Sequence, residues 1–210
     1  MKAAPRLVDI RQAFGESPQV MTEILQDGVN LAVWQRRLPA QVEDFAALLL
    51  NLGQPMSDER VMEVDEREPP VLHRLLPEAA DLHGYEGFVA DVSWLVAAYT
   101  CLLGARRVGL RLRLLDGAMC PRFHVDHVPL RLLTTYAGAG SEWLEEGDID
   151  RSRLQLAEAP VDNIRRLQAG DVALLKGEKW LGNEGAGLVH RSPPTPPGEK
   201  RLLLSLDWLG

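Results

Sequence analysis

Residues 107–117 read RVGLRLRLLDG. In an extended chain Val108, Leu110, Leu112 and Leu114 fall on one side and Gly109, Arg111 and Arg113 on the other, and Asp116-Gly117 then turns the chain. Immediately before, the period is helical: Phe88, Val92, Leu95, Val96, Tyr99 and Leu103 recur three and four apart, a core stripe. The change of period at residue 107 divides the chain. Beyond it three more short segments read as strands: PLRLLTTYAG (129–138), DVALLKG (171–177) and RLLLSLDWL (201–209). Several short strands separated by turns, after a helical region, predict an α+β fold whose second half is a small antiparallel sandwich or barrel supported by the helices of the first.

In the first half, PAQVEDFAALLLNLG (39–53) places Val42, Phe45, Leu48, Leu49 and Leu52 at helical spacing and ends on Gly53, a stop signal. Before it, VNLAVWQRR (29–37) sets Val29, Leu31 and Val33 on one side of a possible strand. The charged, proline-terminated QPMSDERVMEVDEREPP (54–70) suits a solvated connection. The proline pairs of SPPTPPGEK (192–200) exclude ladder pairing before the last strand. With no internal repeat, the chain reads as a single domain, 1–210, in which 1–105 is mainly a helical supporting layer and 106–210 the β core.

A chain of 210 residues buries a sufficient core without staples. Its net charge of −7 argues against general nucleic-acid binding, which depends on Lys and Arg displacing counterions. The N-terminal MKAAPRLVDIRQAFGES carries charges and a proline where a signal peptide needs an apolar run. The longest apolar segment, FVADVSWLVAAYTCLLG (88–104), is broken by Asp91 and followed by Arg106 and Arg107, the pattern of a buried amphipathic helix and not of a membrane span. Cys101 and Cys120 imply no disulfide framework, and Cys101 reads as a core thiol. These features predict a soluble, cytoplasmic protein.

The chemistry-bearing residues lie in the second half. In FHVDH (123–127), positions two apart on an extended chain share a face, so His124 and Asp126 point together while Phe123, Val125 and His127 turn away. His190 closes GLVH on another segment, after the turn-rich LGNEGAG. Two imidazoles and a carboxylate make a facial set that leaves metal positions open. Arg201 shares a face with Leu203 and Ser205, which sends a guanidinium toward an apolar interior, at a cost unless an anion meets it. Arg191 is its rival. A zinc site is the competing reading, because Cys120 lies near His124 and His127 and thiolate favours zinc. His73 and His83, without paired ligands, read as surface or structural. Trp143, Trp180 and the acidic SEWLEEGDID (141–150) are candidates to line or cover a pocket. There is no G-x-S-x-G elbow, and LGNEGAG lacks the Lys and Ser/Thr of a phosphate loop.

With these residues in place, the second half resembles the Fe(II)- and 2-oxoglutarate-dependent oxygenases of the double-stranded β-helix (jelly-roll, cupin-like) fold, whose motif is H-x-D, a distal His and an Arg some ten residues later. The resemblance implies that His124, Asp126 and His190 hold Fe(II) and serve catalysis. It implies further that Arg201 binds the far carboxylate of 2-oxoglutarate, and that an unidentified primary substrate is hydroxylated. Such oxygenases often carry a small hydroxyl residue two positions after the Arg, where Leu203 stands here. Thr134, Thr135 or Tyr136 on the preceding strand could supply it, Thr134 and Tyr136 being the expected co-substrate contacts. The whole chain is also similar to a bacterial family of unknown function, DUF1826, whose members are often associated with zinc-responsive genes. That association supports the alternative of a zinc-binding or metal-homeostasis protein on the same fold.

Overall fold

The computed structural model describes residues 10–65, 70–72, 74–154 and 162–209. The chain enters as β1 (Arg11–Gly15), crosses a 3-10 turn at Pro18–Leu25, and returns as β2 (Val29–Trp34), parallel to β1. Helix α1 (Ala40–Leu52) follows, stopped by Gly53 at φ 71°, a left-handed position that favours glycine. Next come β3 (Ser57–Glu63), helix α2 (Tyr85–Leu103) and β4 (Arg107–Leu115). The remaining strands are β5 (Leu130–Ala137), β6 (Glu142–Trp143), β7 (Arg165–Arg166), β8 (Val172–Lys176), β9 (His190–Arg191) and β10 (Arg201–Trp208).

Seven strands form one sheet in the order β1-β2-β8-β5-β10-β4-β3, and three short ones form a second in the order β7-β6-β9. The two sheets enclose a barrel, a double-stranded β-helix, with both helices on the outer face of the large sheet. Strand alternation decides what each face holds. Leu110, Leu112, Leu132, Leu174, Leu204 and Leu206 pack against Val42, Phe45 and Leu49 of α1 and Phe88, Val92, Leu95 and Tyr99 of α2. Phe88 contacts the rings of Phe45 and Tyr136 at centroid distances of 5.0 and 4.7 Å. The intervening residues, Leu31, Val33, Leu133, Ala173, Leu175 and Leu203, face the barrel and meet Trp143 and Leu188 from the small-sheet side. Helix α2 is long and apolar enough to cross a membrane by length and composition, yet its stripe lies on the sheet. Its Asp91, largely but not fully buried, forms a bidentate pair with Arg36 at 2.6 and 2.9 Å and accepts from the Tyr136 hydroxyl at 2.7 Å.

Three expectations are corrected. The segment read as a solvated connection contains β3, the edge strand beside β4, whose charges cover an open edge. The first half is not only a helical layer, since it supplies β1, β2 and β3 to the large sheet. Cys101 is exposed, because it lies off the α2 stripe that packs on the sheet. His83 is at the surface, as expected; His73 lies outside the described residues.

Candidate metal centre

His124 and His190 face each other across an isolated antiparallel bridge and exchange both backbone bonds, His124 N–H to His190 O at 3.0 Å and His190 N–H to His124 O at 2.9 Å. Directly opposed residues put their side chains on the same side, and the two imidazole centroids lie 4.5 Å apart. Asp126, two residues on, brings its carboxylate to them, with Oδ2 at 3.4 Å from His190 Nε2 and Oδ1 at 3.8 Å from His124 Nε2. Phe123 and Val125 turn the other way, as alternation requires, and pack with Leu144, Ile149 and Val189. Among the described residues these three are the cluster whose donor atoms could hold one metal ion, all lying within 4.8 Å of one another.

The surroundings prepare each donor. Each imidazole Nδ1 sits against a backbone carbonyl, Arg122 O at 2.9 Å for His124 and Leu188 O at 3.1 Å for His190. A carbonyl only accepts, so the proton is on Nδ1 and the Nε2 lone pair faces the centre, the orientation metal-ligating histidines use. Burial pushes the His190 imidazole down to about 4 despite the opposing pull of Asp126, so it is neutral near pH 7. Asp126 Oδ2 is buried and has no hydrogen-bond partner among the described residues. A buried carboxylate oxygen in that state calls for a cation or a donor. The donor set and this orphaned oxygen fit a divalent metal, and the two-nitrogen, one-oxygen composition suits ferrous iron.

Behind the centre lies a chain of charges spread over three strands. Arg131 on β5 donates from Nη1 to Asp126 Oδ1 at 2.7 Å and from Nε to Asp207 Oδ1 at 2.6 Å. Asp207 on β10 also accepts from Arg111 on β4. Arg111 lies on the face of β4 opposite the core leucines, where the register sets it against Ser205.

Arg201 opens β10 and points into the barrel, only 2% exposed. Its Nη2 donates to Ser141 Oγ at 3.1 Å, while Nε and Nη1 are buried without a partner among the described residues. Burial alone pushes this guanidinium down to about 10, which leaves it charged at neutral pH. Ser141 stands two residues before Trp143, which pairs across β6 and β9 with His190. Arg191, the rival, is already engaged by Glu142 at 2.7 Å and lies over the Phe123 ring. Burial raises the Glu142 carboxyl, but its bonds to Arg166 and Arg191 outweigh that and hold it below the usual range.

The register corrects the expected co-substrate hydroxyls. Thr134 lies opposite Leu204 and Val172, both on the helix side, and Tyr136 is committed to Asp91 beneath the sheet. Thr135, opposite Leu203, is the one of the three on the barrel face. Ser141, which sequence reasoning missed, holds Arg201 directly. Cys120 is exposed and outside the metal cluster, with its backbone tied to Ser192. His127 is exposed and outside the metal cluster. Trp143 belongs to the barrel cluster, whereas Trp180 packs on the helix side with Lys176 over its ring. The acidic segment uses Leu144 and Ile149 to cover the outside of the small sheet.

The chain is similar in fold to solved structures at low identity. The rice dioxygenase for auxin oxidation aligns with a TM-score of 0.52 and 11% identity over 96% of this chain and 83% of its own. Apo HygX from Streptomyces hygroscopicus aligns at 0.50 and 11% identity, covering 92% and 87%. A prolyl-4-hydroxylase from Pseudomonas putida aligns at 0.48 and 14% identity, covering 90% and 96%. At these identities the likeness concerns the fold. No curated protein matches the sequence significantly. The family model described as "Protein of unknown function (DUF1826)" matches residues 15–207, and the chain belongs to that family.

Proposed function

We propose that the protein is a non-haem Fe(II)- and 2-oxoglutarate-dependent oxygenase. The observation that carries this reading is the joint occurrence, in one barrel, of an open two-histidine, one-carboxylate cluster and a buried guanidinium with two unpartnered nitrogens. A buried cation without a counter-ion is costly, and a carboxylate-bearing ligand relieves that cost. A short dicarboxylate answers both features, one end at the metal and the other at Arg201, where a planar guanidinium can bind it with two parallel bonds.

In this reading His124, Asp126 and His190 hold Fe(II), which would supply the oxidative chemistry once co-substrate and oxygen are present. The chain's own residues do the rest. Backbone carbonyls fix both imidazole tautomers, Arg201 with Ser141 orients the co-substrate, and Leu133, Leu203 and Trp143 line the barrel with apolar surface that excludes water. The His124 side chain, 34% exposed, marks the side open to a primary substrate. A reducing cytoplasm, which preserves ferrous iron, suits this chemistry. The direct test is succinate formation from 2-oxoglutarate with Fe(II) and oxygen. The wild type should form succinate and Asp126→Ala should not; equal amounts from both would overturn the proposal.

A further inference from the structure

We infer that Arg131 is a positioning residue that makes Asp126 a one-oxygen metal ligand and thereby keeps a coordination position open. The inference rests on the metal-centre reading above but not on the identity of the co-substrate. A carboxylate beside a dication can bind through one oxygen or both, and nothing intrinsic to aspartate selects the first. Here the two oxygens are treated differently. Oδ1 is occupied by the Arg131 guanidinium at 2.7 Å, a charge-assisted bond, while Oδ2 is buried, unpartnered and 3.4 Å from His190 Nε2. Oδ2 is thus the freer donor for a metal, while Oδ1 is drawn toward Arg131.

The arginine is itself immobilised. Nε and Nη2 reach Asp207 at 2.6 and 3.2 Å, so Asp126 and Asp207 share one planar cation. Asp207 is held in turn by Arg111, which also leans on Ser205 Oγ at 3.4 Å. The order Asp126, Arg131, Asp207, Arg111 alternates in sign and runs from the metal-ligand segment across β5 and β10 to β4. Rotating Asp126 to offer both oxygens would break the bond to Arg131, whose other nitrogens cannot follow while Asp207 holds them. A three-ligand centre with one oxygen per carboxylate leaves more positions for incoming molecules than one in which the carboxylate takes two.

The test uses Mn(II) alone as the probe, with metal-bound water counted by water-proton relaxation in wild type, Arg131→Met, Arg131→Lys and Asp207→Asn. Arg131→Met frees Oδ1, and its Mn(II) form is expected to lose about one exchangeable water in an octahedral shell. Arg131→Lys, which keeps a cationic donor, should restore most of the wild-type count. If Arg131→Met does not fold, Asp207→Asn loosens the same clamp from its far end and should shift the count in the same direction. Bound Mn(II) with an unchanged water count in folded Arg131→Met and Asp207→Asn overturns the role of Arg131 while leaving the oxygenase reading intact. Failure of the wild type to bind Mn(II) overturns the metal centre, and this inference with it. Absence of 2-oxoglutarate turnover by the wild type, with the water-count change present in the variants, would overturn only the oxygenase reading.

Discussion

His124 and His190 are hydrogen-bonded partners in a single antiparallel bridge, and that bridge joins the H-x-D segment to the small sheet. Two residues 66 positions apart are thus held at a centroid separation of 4.5 Å by their own backbones. The imidazoles need no ion to bring them together. The cluster should therefore be preorganised, which lowers the entropic cost of binding metal.

Arg201 is expected to oppose stability and serve binding. Replacing it with Met removes a buried charge that has no counter-ion, so Arg201→Met should unfold at a temperature equal to or above that of the wild type without ligand. With Fe(II) already present under nitrogen, adding 2-oxoglutarate should further stabilise the wild type by about 2.7 kcal/mol at a hundred-fold excess over Kd, and leave Arg201→Met at its Fe(II)-bound value. Differential scanning fluorimetry checks both halves.

The buried Arg36–Asp91 pair, with Tyr136 as third member, predicts that Asp91→Ala destabilises the fold by about 3–5 kcal/mol, because it strands a guanidinium beneath the sheet. Urea unfolding of the variant against wild type measures this. A loss below about 1 kcal/mol would mean that water reaches Arg36 freely.

Lys176 gives the protein a pH dependence whose sign can be worked out. Burial lowers its amine from 10.5 to about 8, partly opposed by Asp27, while Nζ donates to Gln26 O at 2.8 Å. Between those values the unfolded chain holds a proton that the folded one has released, so this residue's contribution rises as pH increases through the window and is lost as pH falls to 8. Lys176→Met should abolish that increment. The stability difference between the two proteins, followed by urea titration from pH 7 to pH 10.5, is the readout.

Cys120→Ser should bind metal as the wild type does, since Cys120 stands outside the His124, Asp126, His190 cluster. A large loss of affinity for zinc or iron, measured by competition with a chelator, would restore the thiolate-containing zinc site.

Much of this architecture was legible because its elements are long and regular. The alternation in Arg107–Leu115 and Arg201–Trp208 and the stripe in Tyr85–Leu103 each extend over several periods. The edge strand Ser57–Glu63 was hidden by the charges that protect it, and β6, β7 and β9, at two residues each, are too short to show a period. The candidate metal cluster was partly legible because His124 and Asp126 stand two apart in one segment. Ser141, Arg131 and Asp207 were missed because their roles depend on cross-strand register, which sequence does not specify here. The same dependence misplaced Thr134 and Tyr136: pairing between β10 and β5 shifts register at Leu202/Leu203, and the helix face takes both.

The central claim is tested most directly by adding Fe(II) and then 2-oxoglutarate to metal-free protein under nitrogen and recording the visible spectrum. A weak metal-to-ligand charge-transfer band should appear on the second addition and be absent from His124→Ala and Arg201→Ala. A wild type that binds Fe(II) but gives no band, or variants that give the same band, would contradict an oxygenase built on these residues.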